Sequence, residues 1–162
     1  MKTLVLLTAA FLLAAPVVAQ DTATVQKAIQ AQYNKEAAAF MKKDISAGLS
    51  INTSGFATTD TKGKKTTLAE FKAALTQIIS AAQSIKLSST VEKVTVKGET
   101  ATVIVSDKSL FVLTNPQTKK STKVEGASRN EDTWIKQAGV WKRQKNRALT
   151  SQSLMDGKPV GN

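Results

Sequence analysis

The chain has no histidine and no cysteine. That removes the commonest general base, the thiol nucleophile and the usual transition-metal ligands, so serine–histidine and cysteine–histidine catalysis are excluded and no metal site is expected. The groups left for proton transfer or ion recognition are the carboxylates, a single tyrosine, Tyr33, and the arginines near the C-terminal end. Asp44, Asp60 and Asp132 stand out among the carboxylates, and Arg147 among the cations. Each has a plain structural alternative. Asp44 precedes a short apolar run and reads as a helix cap, Asp60 precedes Gly63 and reads as a turn residue, and Arg129 and Glu131 read as a surface ion pair.

The elements that must position these groups follow from periodicity. Asp21, Thr22 and Thr24 are cap candidates for a helix over 24–43, in which Val25, Ala28, Ile29, Tyr33, Ala37, Phe40 and Met41 form one apolar stripe. Asp44 opens a second, short helix carrying Ile45 and Leu49. An irregular stretch follows, in which Phe56 is the large apolar residue that plugs the core. Thr67-Leu-Ala-Glu70 is a capping box for a third helix running to about Ser84, with Phe71, Ala74, Leu75, Ile78 and Ala82 on one side.

From Ser88 the period changes to two. Val91, Val94 and Val96 lead into the Lys97-Gly98-Glu99 turn, and Ala101, Val103 and Val105 alternate on the way back. The alternation slips before Leu110, which predicts a bulge. Two further strands are expected over 123–136 and 140–150, joined at Gln137-Ala138-Gly139, with residues 151–162 as an exposed tail. On the last strand Trp141, Arg143, Lys145, Arg147 and Leu149 share one face. Asp132 and Trp134 share a face of the strand before it.

Residues 1–19 have the grammar of a cleavable secretory signal: Lys2, an apolar run over 4–18 interrupted by Pro16, and Ala19 before polar Gln20. A bilayer span needs roughly 20 apolar residues and this run is shorter, so no transmembrane anchor is expected after cleavage and the localisation is secreted or periplasmic. Residues 20–150 are one domain by length. The formal charge is +11 for the whole chain and falls to +10 once Lys2 leaves with the signal. Such a charge favours anionic surfaces in general. Specific nucleic-acid binding is not expected, because the eight aromatic residues do not interleave with the lysines.

Three helices followed by an antiparallel meander give an α+β class. Particular residues sharpen this: Tyr33 and Phe40; Asp44; Phe56 and Asp60; Thr67-x-x-Glu70-Phe71; Val94-x-Val96-x-Gly98-x-x-Ala101-x-Val103; and Glu131-Asp-Thr-Trp134-Ile-Lys136 with Gly139-x-Trp141. In this order the chain resembles the NTF2-like superfamily, in particular its SnoaL-like and DUF4440-type exported members, over about residues 25–150. The resemblance implies N-terminal helices packed on a curved antiparallel sheet, a cone with a pocket at its wide end. It also implies relatives that include isomerases, dehydratases, cyclases and epoxide hydrolases beside many non-catalytic proteins, so fold does not decide function.

Enzymes of that superfamily generally hold an aspartate or histidine deep in the cone. Six residues after the Gly-x-Trp tryptophan, where many SnoaL-like relatives carry a histidine, this chain has Arg147, which cannot act as a base but can clamp a carboxylate or phosphate. The expected ligand-binding residues are Arg147, Tyr33, Asp132 and Trp134, and the candidate catalytic residues are Asp132 and Asp60. Without a complete acid–base set, the favoured reading is a non-catalytic domain binding a small ligand, anionic ones included, or a partner protein in or around the cone pocket, with no cofactor and with a homodimer compatible. An Asp-based isomerase, dehydratase or hydrolase is the first alternative. A basic module adhering to envelope polymer or membrane is the second.

Overall fold

The computed structural model describes residues 21–115 and 117–160. The signal segment expected over 1–19 lies outside them. Helix α1 (Thr22–Met41) starts where the Asp21 carboxylate accepts from the backbone N–H groups of Ala23 and Thr24. It buries Val25, Ile29, Tyr33, Glu36, Ala39 and Phe40, a stripe at three- and four-residue spacing, while Met41 is left exposed. Helix α2 (Ile45–Leu49) is capped by Asp44, as expected. It packs against α1 through Gly48, where an added Cβ would lie 2.2 Å from the Phe40 ring. Helix α3 (Leu68–Ala81) opens on the Thr67–Glu70 capping box. Only Ile79 of α3 is fully buried; Phe71, Leu75 and Ile78 are half-buried, and Phe71, Leu75 and Ile79 line a cavity.

The sheet holds seven strands: β1 (Asn52–Thr59), β2 (Lys65–Thr67), β3 (Ala82–Lys97), β4 (Thr100–Thr114), β5 (Ser121–Gln137), β6 (Val140–Met155) and β7 (Lys158–Pro159). Their order is β2-β1-β6-β5-β4-β3, with β7 on β6. The β3–β6 meander is antiparallel, whereas β1 runs parallel to β6. The result is an α+β fold in which the N-terminal helices sit on a curved, unclosed sheet. The stretch around Phe56, expected to be irregular, is strand β1, and residues 151–155, expected to be tail, complete β6. Neither segment alternates cleanly in hydrophobicity, so only strand pairing could reveal them.

Bulges set the register that matters for function. Strand β4 pairs with β5 without a break, so the bulge expected before Leu110 is not there. The inward series continues from Val105 through Asp107 and Ser109 to Phe111, and polar residues simply take core-facing positions. The breaks fall instead twice in β3, between Ala82 and Ser84 and between Val91 and Lys93, in the β1–β6 pairing between Asn52 and Ala57, and twice in β6 where it pairs with β5. Trp134 and Thr133 pair with Arg143 and Lys145, leaving Gln144 extra, and Asn130 and Arg129 pair with Ala148 and Thr150, leaving Leu149 extra. Each extra residue reverses which side chains face inward.

The apolar interior forms two clusters. One gathers Val25, Ile29, Tyr33, Ile51, Val103 and Trp134 with their neighbours; the other gathers Phe40, Leu49, Ile79, Ala82, Ile85 and Phe111. Along α1, Glu36 lies between the Tyr33 of one cluster and the Phe40 of the other. A layer of buried polar side chains separates the two.

Candidate functional site

That layer is built by four elements. α1 supplies Tyr33 and, three residues on, Glu36; β5 supplies Asn130 and Asp132; β6 supplies Arg143 and, past its bulge, Asn146; β1 begins at Asn52. Asp132 is wholly buried. It accepts from the Tyr33 hydroxyl at 2.6 Å and from Asn146 Nδ2 at 2.7 Å, with the Arg143 guanidinium 3.6 Å away. Arg143 donates through Nη2 to Glu36 Oε1 and through Nε to Asn52 Oδ1 at 2.9 Å. Its guanidinium carbon also lies over the rings of Phe56 (5.1 Å) and Tyr33 (5.7 Å). One buried cation thus serves two carboxylates, which is the condition for keeping it so far from water.

The electrostatics of the layer are uneven. Burial pushes the Glu36 carboxyl up from 4.5 to about 7; Arg143 draws it back down, while Asp132 and Asp107 add to the rise. Burial likewise raises Asp132 despite Arg143 and the hydrogen bonds from Tyr33 and Asn146. Tyr33 is raised by its burial and then by the negative charge of Asp132. For Arg143 burial acts to lower the pKa, but Glu36 and then Asp132 outweigh it and the net direction is upward. The cation is over-compensated and the carboxylates under-compensated, because they share it.

Above the layer opens a cavity of about 380 Å³. Phe40, Phe56, Phe71, Leu75, Ile79 and Phe111 supply its apolar wall. The sheet also supplies the polar lining, with the hydroxyls of Ser109, Ser128 and Ser151 and the side chains of Asn130 and Asn146. Glu36 and Arg143 reach it from the layer and Asp107 from β4, where its carboxylate accepts from Asn130 Nδ2 at 2.6 Å. Gly126 keeps the sheet wall thin, since a Cβ there would stand 2.5 Å from Ser109 Oγ. Among the described residues, no group of three or more histidines, cysteines, aspartates or glutamates is arranged to hold a metal ion.

The residues singled out from sequence divide accordingly. Tyr33, Asp132 and Trp134 come together, but behind the cavity: Trp134 is fully buried and meets Tyr33 edge-on, with ring centroids 5.2 Å apart. Asp60 is exposed, and its carboxylate accepts from the backbone N–H groups of Lys62 and Lys64, a turn role. Arg147 is a correction. It lies on the outer face and pairs with Glu131 at 2.8 Å, with its side chain 58% exposed. The extra residue at Gln144 hands the inward face to Asn146 and Ala148, so Arg147 no longer shares a face with Trp141.

Glu36, Asp107 and Arg143 were missed. Glu36 sits where the apolar stripe of α1 must pass, three residues after Tyr33 and four before Phe40. Arg143 follows Trp141 by two on one strand face. A charge at a core position was the available signal for both.

No family model and no curated protein matches the sequence. Solved structures do match in fold. A conserved protein from Planctomyces limnophilus has a TM-score of 0.68 at 17% identity, covering 85% of this chain and 99% of that one. A protein from Novosphingobium aromaticivorans, provisionally named a scytalone dehydratase, has a TM-score of 0.67 at 13% identity, covering 80% and 87%. A provisionally named dehydratase of the NTF2-like family from Streptomyces avermitilis has a TM-score of 0.62 at 15% identity, covering 88% and all of that chain. The chain has the NTF2-like fold.

Proposed function

We propose that this is an exported domain that binds a small molecule with an apolar, ring-sized body and polar substituents in the mouth of its cone. The observation that carries this reading is the cavity of about 380 Å³, whose lining combines aromatic and aliphatic side chains from helices and strands with hydroxyls and amides from the sheet. Ligand sites typically enclose roughly 300–1,000 Å³ and combine an apolar lining with a few fixed polar groups. Export rests on the signal grammar of residues 1–19. An anionic ligand loses its main support, since Arg147 is outside and Arg143 is already held by two carboxylates.

Native mass spectrometry of the protein recovered from its exported fraction tests the reading. A bound small molecule should be released from wild type and be absent from folded Ser109→Phe and Ala37→Phe variants, which fill the cavity from opposite walls. Equal retention by both filled variants would place the ligand elsewhere.

A second reading, a proton-transfer enzyme, is favoured by one observation. Glu36 lines the cavity with its pKa near neutrality and Arg143 at its back. Glu36 replaces Asp132 as the base in this reading, because Asp132 is sealed and both its oxygens are occupied.

A further inference from the structure

We infer that the cavity selects cationic ligands: an amine or quaternary ammonium on an aromatic or aliphatic ring, its positive group set between Glu36 and Asp107. The inference rests on the cavity being a binding site, as proposed above, and adds the charge of the ligand.

Charge balance is the first ground. Glu36 and Asp107 line the cavity and Asp132 lies one layer behind it, each close enough to influence the others and Arg143. Arg143 is the one buried cation among the described residues, and it is committed to Glu36, Asp132 and Asn52. Lys108 reaches the rim but belongs to the outward series of β4 and is exposed. Above the Glu36 value of about 7, Glu36 and Asp107, with Asp132 behind them, share one guanidinium, and the floor is short of positive charge. In a poorly solvated site such a deficit attracts a cation and repels an anion far more strongly than it would in water.

Acceptor capacity is the second ground. Glu36 uses Oε1 toward Arg143 and Asp107 uses Oδ2 toward Asn130, and among the described residues neither second oxygen receives a side-chain hydrogen bond. An ammonium has donors and no acceptors, so it matches this surplus. The hydroxyls of Ser109 and Ser128 on the same wall can accept as well.

The aromatic wall is the third ground. Phe56 already carries the Arg143 guanidinium over its ring, so that face is taken, but the pair shows that the aromatic lining accepts a positive charge here. Phe40, Phe71 and Phe111 present further rings to the cavity, and ring faces attract cations, more so when both are desolvated. The exterior of the protein is strongly basic, but at physiological salt that field is screened within about 8 Å and does not bar a cation from the mouth.

The test uses triples that share a ring and are close in size but carry positive, neutral and negative head groups: phenethylamine, 2-phenylethanol and phenylacetate, and the same three head groups on a naphthyl ring. Binding to the mature protein at pH 8 is followed by NMR chemical-shift titration. The amine of at least one ring size should bind tenfold or more tighter than its alcohol, and the acid weakest. Asp107→Asn should cut the amine-to-alcohol ratio to below threefold; if that variant does not fold, Glu36→Gln replaces it. An alcohol or acid that binds as tightly as the amine overturns the charge selection and leaves the cavity reading intact. If no member of either triple shifts cavity resonances, both fail together. A ratio unchanged in the folded variants overturns the placement between Glu36 and Asp107.

Discussion

Replacing Glu36 with glutamine isolates the energetic consequence of burying a shared carboxylate. In the folded protein Glu36 titrates at about 7 against an ordinary value of 4.5, the main cause being its burial. The folded state therefore keeps a proton that the unfolded chain loses between those two values. Wild type should be most stable below about pH 4.5 with respect to this group, lose stability as pH rises to about 7, and level off above. At about 1.4 kcal/mol per pH unit, the separation amounts to about 3–4 kcal/mol. Asp132, also raised, works in the same direction.

Glutamine keeps a carbonyl acceptor for Arg143 but cannot ionise, so the variant should lose most of the slope. It will also carry a constant penalty for weakening the pair. Urea denaturation of both proteins from pH 4.5 to 8.5 reads the difference directly. Acidification also raises net positive charge, but equally in both proteins, so that repulsion cancels. Parallel stability curves would refute the claim that Glu36 is held protonated by burial.

Arg147→Met should change stability by less than about 1 kcal/mol, because its pair with Glu131 is exposed. Arg143→Met should cost about 3–5 kcal/mol by stranding Glu36 and Asp132. Denaturant midpoints of the two variants decide this, and the reverse ranking would mean that the β6 register is wrong. For export, N-terminal sequencing of the secreted or periplasmic protein should begin at or near Gln20; a mature, membrane-free protein that retains Met1 would end the signal reading.

Much of this architecture is determined locally. The Asp21 and Asp44 caps, the Thr67–Glu70 capping box and the turns at Gly98 and Gly139 depend on residues within a few positions of each other. So do the alternating valines of β3 and β4, and for that reason the α+β class and the helix–meander order could be read from the chain. The absence of histidine and cysteine is equally a sequence fact, and it narrows the chemistry wherever the residues end up.

What the tertiary structure alone decided is which charges face inward. The bulge at Gln144 turns Arg147 out and Asn146 in, and nothing in the run Lys142-Arg-Gln-Lys-Asn-Arg147 marks it, since every residue there is polar. Asp107 and Ser109 face the cavity because β4 runs unbroken beside β5, where they pair with Ser128 and Gly126 across the hairpin. The Glu36–Arg143–Asp132 layer likewise joins a helix to two strands about a hundred residues away. A carboxylate tolerates such burial only where distant elements bring it a cation and donors, so its role is a property of the assembled fold.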